Sequence, residues 1–138
     1  RFGHLYGTLE ENDYMVNRFF RSALVGGELR VTPASQNRRE MVFGEDAASA
    51  CVAALGAAAT GPVNVPGYER LSNFEIATAV SEGFATGARV VVDPSLRDVA
   101  PTAMDGALSA QVLGYAPRWP MLDACRIIRT ETEVTRGT

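Results

Sequence analysis

The chain of 138 residues contains no lysine, so all 13 of its basic residues are arginine. Schiff-base formation, a Walker A phosphate loop and a Tyr–Lys catalytic pair are therefore excluded for this chain acting alone. Histidine occurs once, at His4, which argues against a histidine triad or a multi-histidine metal site. The sequence also has no H-E-x-x-H, C-x-x-C, G-x-S-x-G or G-x-G-x-x-G motif. We predict no catalytic residue and no metal site in this chain.

Charge and hydrophobicity exclude further classes of partner. The net charge is −3, whereas nucleic-acid-binding domains usually carry a basic excess. Apolar runs end well before the roughly 18 residues of a membrane span, and the first residues do not follow the order of a signal peptide. We expect a cytoplasmic protein in which Cys51 and Cys125 are buried, reduced thiols, with a disulfide or a metal pair as the alternative. The chain begins with Arg rather than Met, as a fragment or a processed product would.

Length and periodicity predict one α/β domain with α+β character, spanning residues 1–138. With 46% hydrophobic residues the chain can bury a substantial core. Short strands are predicted over 1–6, 29–32, 39–43, 63–65 and 88–92. About five helices are predicted: from 15 to 24, from 46 to about 59, from 73 to before Gly87, from 105 to 113, and from 121 to about 129.

Polar residues are predicted to cap the starts of three helices. Ser72 and Glu75 form the capping box S-x-x-E, in which each side chain bonds the other residue's backbone N–H. Asp46 is expected to cap the second helix, and Asn12 or Asp13 the first.

Three arginines and the histidine are candidates for a binding site. Arg38 and Arg39 open a strand after a polar loop, where a guanidinium can hold a phosphate or a carboxylate; a solvated pair at a strand edge is the alternative. Arg97 follows another strand, and its alternative role is a local salt bridge with Asp98. His4 is either a packed residue or a site residue. From residue types alone, the chain is an α/β domain whose arginines can hold an anion.

The order of motifs resembles the C-terminal half of extended short-chain dehydrogenases, in the NAD-dependent epimerase/dehydratase family of nucleotide-sugar enzymes. Five segments, in the family's order and spacing, carry the resemblance. They are RFGHLYG (1–7), RREMVFGEDAASA (38–50), GPVNV (61–65), LSNFEIA (71–77) and MDGALSAQVLGYAPRWPMLDACR (104–126). They cover nearly the whole chain.

The resemblance implies a substrate-binding role. Arg39 would contact the diphosphate of the substrate, as would Arg97 if its loop aligns. His4 stands where the family often has a phosphate-contacting Asn, and Val31 would lie near the nucleotide base. The segment 1–6 would be a strand of a Rossmann sheet that is otherwise absent, so we expect it to pair with another polypeptide or to be disordered.

The family's other half holds the cofactor and the Tyr-x-x-x-Lys pair, neither of which this chain can supply. We therefore expect the nucleotide-diphosphate-sugar-binding portion of an epimerase, dehydratase or reductase, with NAD(P) in the complete enzyme and none in this chain alone. The implied partner is a Rossmann-domain polypeptide, either a missing half or a second subunit, and a homo-oligomer stays open. The alternative functions are a non-catalytic remnant that serves as a partner or scaffold protein, and a lysine-free enzyme with new chemistry.

Overall fold

A computed structural model describes residues 1–8, 12–33, 37–58 and 60–136 of the chain. Short strands alternate with five helices in this part of the chain. In order, the elements are β1 (His4–Tyr6), α1 (Met15–Ala23), β2 (Glu28–Val31), β3 (Arg39–Phe43), α2 (Gly44–Leu55), β4 (Arg70–Leu71), α3 (Asn73–Phe84), β5 (Arg89–Val92), α4 (Ala107–Leu113) and α5 (Met121–Arg136). The predicted α/β class with small sheets is confirmed.

The strands form two small sheets. In the first, β3 lies in the middle, parallel to β1 and antiparallel to β4. In the second, β2 and β5 pair in parallel. β1 thus pairs within its own chain, and the expectation that the segment needs another polypeptide or is disordered is wrong. Its other edge has no strand partner among the described residues, so β1 is an edge strand of this sheet.

Helix α3 lies at the centre of the core, packed against α1, α5 and the second sheet. Its apolar positions Ile76, Val80 and Phe84 are fully buried, as their spacing of four predicts. Phe84 stacks on Phe20 of α1 with ring centroids 5.5 Å apart. Against α5 the helix presents Gly83, where an added Cβ would lie 2.5 Å from the Cβ of Cys125. This glycine lets the two helices approach closely.

Helix α2 begins earlier than predicted because Asp46 does not cap it. The N-cap residue is Phe43, whose side chain makes no capping bond, and Asp46 lies in the first turn. The Asp46 carboxylate instead accepts the backbone N–H groups of Arg118 and Trp119, at 3.0 and 3.3 Å. It therefore holds the chain just before α5, a long-range role that local sequence does not reveal.

Other boundaries also differ from the sequence-based expectations. Residues 63–65 are not a strand; Val65 forms only an isolated bridge with Phe2. The two-residue strand β4 was not predicted, since its pairing with β3 is tertiary. α2 ends at Leu55, and the predicted end at Ala59 lies outside the described residues. α5 continues past residue 129, where an Arg129–Glu133 pair at 2.8 Å supports another turn.

Of the remaining local predictions, some are confirmed and others are wrong. Neither Asn12 nor Asp13 caps α1, whose N-cap is Tyr14 without a side-chain bond. Cys125 is buried and free as expected, but Cys51 is exposed, because it lies on the outer side of α2. No helix in the described part of the chain is long and apolar enough to cross a bilayer.

The predicted capping box at the start of α3 is confirmed. The Ser72 hydroxyl accepts the N–H of Glu75 at 3.2 Å, and the Glu75 carboxylate accepts the N–H of Ser72 at 2.8 Å. These bonds hold the pKa of Glu75 below its ordinary value, and Arg38 adds to the effect, while burial acts in the opposite direction.

Replacing Ser72 by Ala should lower the free energy of unfolding by about 1 kcal/mol, because one N-terminal N–H of α3 loses its acceptor. Urea denaturation measures this change. Ser49→Ala in the body of α2 is the control and should cost nothing. An unchanged midpoint for Ser72→Ala would contradict the stabilising role of the box.

Candidate functional site

Arg39 is a buried cation at the start of β3. Its side chain and backbone are only 9% exposed. Its Nη2 donates a hydrogen bond to the Oδ1 of Asn73, the first residue of α3. The same nitrogen lies 3.1 Å from the sulfur of Met15. Its Nε has no hydrogen-bond partner among the described residues, and none of their carboxylates forms an ion pair with it. A guanidinium remains charged even though burial lowers its pKa. The charge of Asp98 acts on it in the opposite direction, but no carboxylate of the described residues is bonded to it directly.

Two cavities adjoin at Arg39 and Met15, which line both of them. The first has a volume of about 450 Å³ and is mainly apolar. Its other lining residues come from β1, β3 and the start of α1: Gly3, His4, Leu5, Tyr14, Val16 and Met41. A ligand with an anionic centre at Arg39 would therefore extend into a cavity on either side.

The second cavity, of about 430 Å³, is lined by four arginines and a single acidic residue. The arginines are Arg18, Arg30, Arg39 and Arg97. The acidic residue, Glu28, already pairs with Arg30 at 3.2 Å and with Arg89 at 3.1 Å. The hydroxyl of Thr32, a lining residue that is 4% exposed, has no hydrogen-bond partner among the described residues. Arg18 also pairs with Asp13 at 3.7 Å and Arg30 with Asp93 at 3.3 Å, so Arg39, Arg97 and the Thr32 hydroxyl are the groups that favour an anionic ligand here.

Arg97 reaches the second cavity from the irregular segment 93–106, which joins β5 to α4. Hydrogen bonds to Thr102 hold this segment against β3 and β4. The Thr102 hydroxyl accepts the N–H of Glu40 at 2.9 Å, and its carbonyl accepts the Arg70 Nε–H at 2.9 Å. At the other end, Asp93 accepts the backbone N–H and the hydroxyl of Ser95. Arg97 lies between these two anchors.

His4 lies on β1, opposite Met41 of β3, and lines the first cavity together with Arg39. Partial burial lowers its pKa, and the positive charge of Arg39 lowers it further. The imidazole is therefore neutral at pH 7 and available both to donate and to accept a hydrogen bond.

The structure brings the four predicted binding residues to these two adjoining cavities. His4 lines the first, Val31 and Arg97 line the second, and Arg39 lines both. Arg38 lines neither, because its guanidinium bonds the Glu75 carboxylate at 2.7 Å and the Arg70 carbonyl at 3.1 Å. The two adjacent arginines are thus directed to different surroundings.

Sequence reasoning missed several lining residues. Asn73 follows a capping serine, and nothing in the local pattern marks it as the partner of Arg39. Met15 reads as an ordinary apolar helix position. Only for Arg30 and Thr32 did the sequence give an indication of a place in the site, because they flank Val31 at the end of a predicted strand.

Solved structures of sugar-nucleotide enzymes share this fold. The chain is 28% identical to UDP-N-acetylglucosamine 4-epimerase from Bacillus cereus, with a TM-score of 0.85, over 96% of this chain and 47% of that protein. A variant of UDP-glucuronic acid 4-epimerase from the same organism, in complex with a UDP-sugar and NAD, gives 19% identity and a TM-score of 0.81, over 98% and 44%. An NAD-dependent NDP-hexosamine 5,6-dehydratase of tunicamycin biosynthesis gives 22% and 0.76, over 96% and 44%.

The chain therefore spans about half the length of the solved proteins that it matches. No protein-family model and no curated protein matches it. The resemblance that the five sequence segments predict is confirmed by these structures.

His4, as the single histidine, permits a direct test of the site's geometry by proton NMR. Its imidazole should titrate below the ordinary histidine pKa, and Arg39→Ala should raise that pKa because a nearby positive charge is removed. Arg38→Ala, whose charge is engaged by Glu75, is the control and should leave the titration unchanged. Equal shifts in both variants would show that Arg39 does not act on His4 locally.

Proposed function

We propose that this chain, which has the fold of part of NAD-dependent sugar-nucleotide epimerases and dehydratases, is the substrate-binding portion of such an enzyme. The diphosphate of a nucleotide sugar would lie at Arg39, where the two cavities meet. The observation that carries this proposal is the buried Arg39 guanidinium, whose Nε has no hydrogen-bond partner among the described residues and which interacts with Asp98 only through its charge. A buried charge without a directly bonded counterion is costly, and a bound anion would supply one.

The lining of the two cavities supports one orientation of the ligand. Arg97 would hold the second phosphate from its anchored segment. Val31, which closes the second cavity at the end of β2, would contact the nucleotide base. His4, on the β1 side, would then bond the sugar–phosphate end as a neutral imidazole.

The residues of this chain do not fit NAD. A dinucleotide pyrophosphate is usually held by a glycine-rich turn between a strand and a helix N-terminus, and the sequence has no such motif. Where β3 leads directly into α2, the first helical turn carries Glu45 and Asp46, whose charges oppose an anion. A Rossmann-domain polypeptide would therefore supply the cofactor and the Tyr–Lys pair, either as another part of the same protein or as a second subunit.

In the complete enzyme, Arg39→Ala should weaken binding of the matching nucleoside diphosphate by about ten- to a hundredfold. The reason is the loss of a charge-assisted hydrogen bond, which contributes roughly 1.5–3 kcal/mol. Calorimetry with UDP, dTDP, GDP and CDP in turn measures the effect. Arg39→Lys should restore binding only in part, because an ammonium lacks the planar fork.

Arg38→Ala is the matched control. It removes the same charge one residue away, and only exposed contacts with the Glu75 carboxylate and the Arg70 carbonyl are lost, so binding should be nearly unchanged. Equal losses in the Arg38 and Arg39 variants would mean that the arginines act as diffuse charge. Failure of all four nucleotides to bind would instead favour the scaffold alternative.

The 138-residue chain alone should not bind NAD, because it lacks a site for the pyrophosphate. Titration calorimetry with NAD on the purified chain tests this. A micromolar dissociation constant would refute the assignment of the cofactor site to another polypeptide.

A further inference from the structure

His4 and Arg39 face the same cavity from neighbouring strands. His4 of β1 is opposite Met41 of β3, and residues that are opposite each other in a sheet project from the same face. Arg39 is two residues before Met41 on β3, so its side chain projects from that face as well. All three residues line the first cavity. A ligand with its anionic centre at Arg39 therefore lies in a cavity that His4 also lines.

Arg39 supplies the charge that acts on His4. The titratable groups on the elements around His4 are Arg39 and Glu40 of β3, Glu45 and Asp46 of α2, and Tyr14 just before α1. The Glu40 and Asp46 carboxylates are already bonded to backbone N–H groups, and Glu45 is exposed. None of the described residues that line the cavity is acidic. The positive charge of Arg39 disfavours the imidazolium form, so His4 is neutral while the cavity is empty.

A bound diphosphate would change these electrostatics. Its two negative charges compensate the positive charge of Arg39, which is the charge that disfavours a proton on His4. An anion within about 4–6 Å of a histidine also favours the imidazolium directly. The protonated ring donates from both nitrogens, and a charge-assisted hydrogen bond to a phosphate oxygen is stronger than a neutral one. The same side chain therefore binds a proton more tightly in the complex than in the empty site.

We propose that His4 is a titratable cation of the diphosphate site, which takes up a proton when a nucleotide sugar binds. This inference rests on the proposed function, which places the diphosphate at Arg39. Above about pH 8, His4 bonds the ligand as a neutral imidazole. As the pH falls toward about 6, the complex holds a proton that the empty site does not. The affinity then rises, because proton binding and ligand binding are linked and each strengthens the other.

Calorimetry on the complete enzyme measures this proton uptake. The probes are UDP-glucose, dTDP-glucose, GDP-mannose and CDP-glucose. Their diphosphates are esterified at both ends and lack the terminal phosphate ionisation, near about pH 6, that would obscure the result. For a probe that binds, the apparent enthalpy at about pH 6.5 should differ between MES and Bis-Tris, because the buffer releases the proton with a different heat. The affinity should be about three- to tenfold higher at about pH 6 than at about pH 8.

His4→Asn is the variant that isolates the proton. An amide also donates and accepts hydrogen bonds, but it does not titrate. In this variant the enthalpy should be the same in both buffers, and the gain in affinity on acidification should be lost. Tyr14→Phe is the matched control, because it removes another titratable group from the same cavity and should leave the proton uptake in place. Uptake that persists in His4→Asn would assign the proton to another group and overturn the inference.

The 138-residue chain gives an independent measurement, because His4 is its single histidine. Proton NMR follows the imidazole directly. Its titration should move to higher pH when a nucleotide sugar is added at a concentration that saturates the chain. An unchanged titration under saturation would contradict the inference.

The inference and the proposed function fail in different ways. A nucleotide sugar that binds with equal enthalpy in both buffers and equal affinity at both pH values would refute the proton uptake alone. Absence of binding by all four probes at either pH would refute the substrate-binding role, and with it the inference that rests on it.

Discussion

Burial of the Arg39 guanidinium constrains the site around it. A charged side chain at the start of a fully buried strand requires polar partners, and α3 supplies one through Asn73. Asn73 is in position because the capping box at Ser72 begins the helix one residue earlier. The Nε–H of Arg39 has no partner among the described residues, and Arg39 lines both cavities. One residue therefore links the packing of the core to the lining of both cavities.

Two buried carboxylates, Glu40 of β3 and Asp46 of α2, organise the loops of this region. The Glu40 carboxylate accepts the N–H groups of Gly67 and Met104, at 3.0 and 3.3 Å. Gly67 is required there, since a Cβ would lie 1.7 Å from the carbonyl oxygen of Met41. Asp46 holds the chain before α5 in a similar way. Hydrogen bonds from backbone N–H groups stabilise these buried charges, so that the loops around β3 take defined positions.

The described part of the chain has a well-packed core and also leaves some apolar surface exposed. Its core is dense around α3, where the aromatic rings of α1 and α3 stack. Elsewhere the described chain exposes one edge of β1 and the outer face of α2.

Periodicity and local chemistry determined the helices and their order. The capping box at Ser72 and the apolar spacing of α3 were readable because both depend on residues less than one or two turns apart. The order of five sequence segments indicated the family, and with it Arg39, Arg97, His4 and Val31 as binding residues. Tertiary structure alone decided the roles of Asp46, Glu40 and Asn73, whose partners lie 27 to 73 residues away along the chain. It also decided that β1 pairs with β3 and that Cys51 is exposed, because strand pairing and the orientation of a helix face depend on contacts between distant segments.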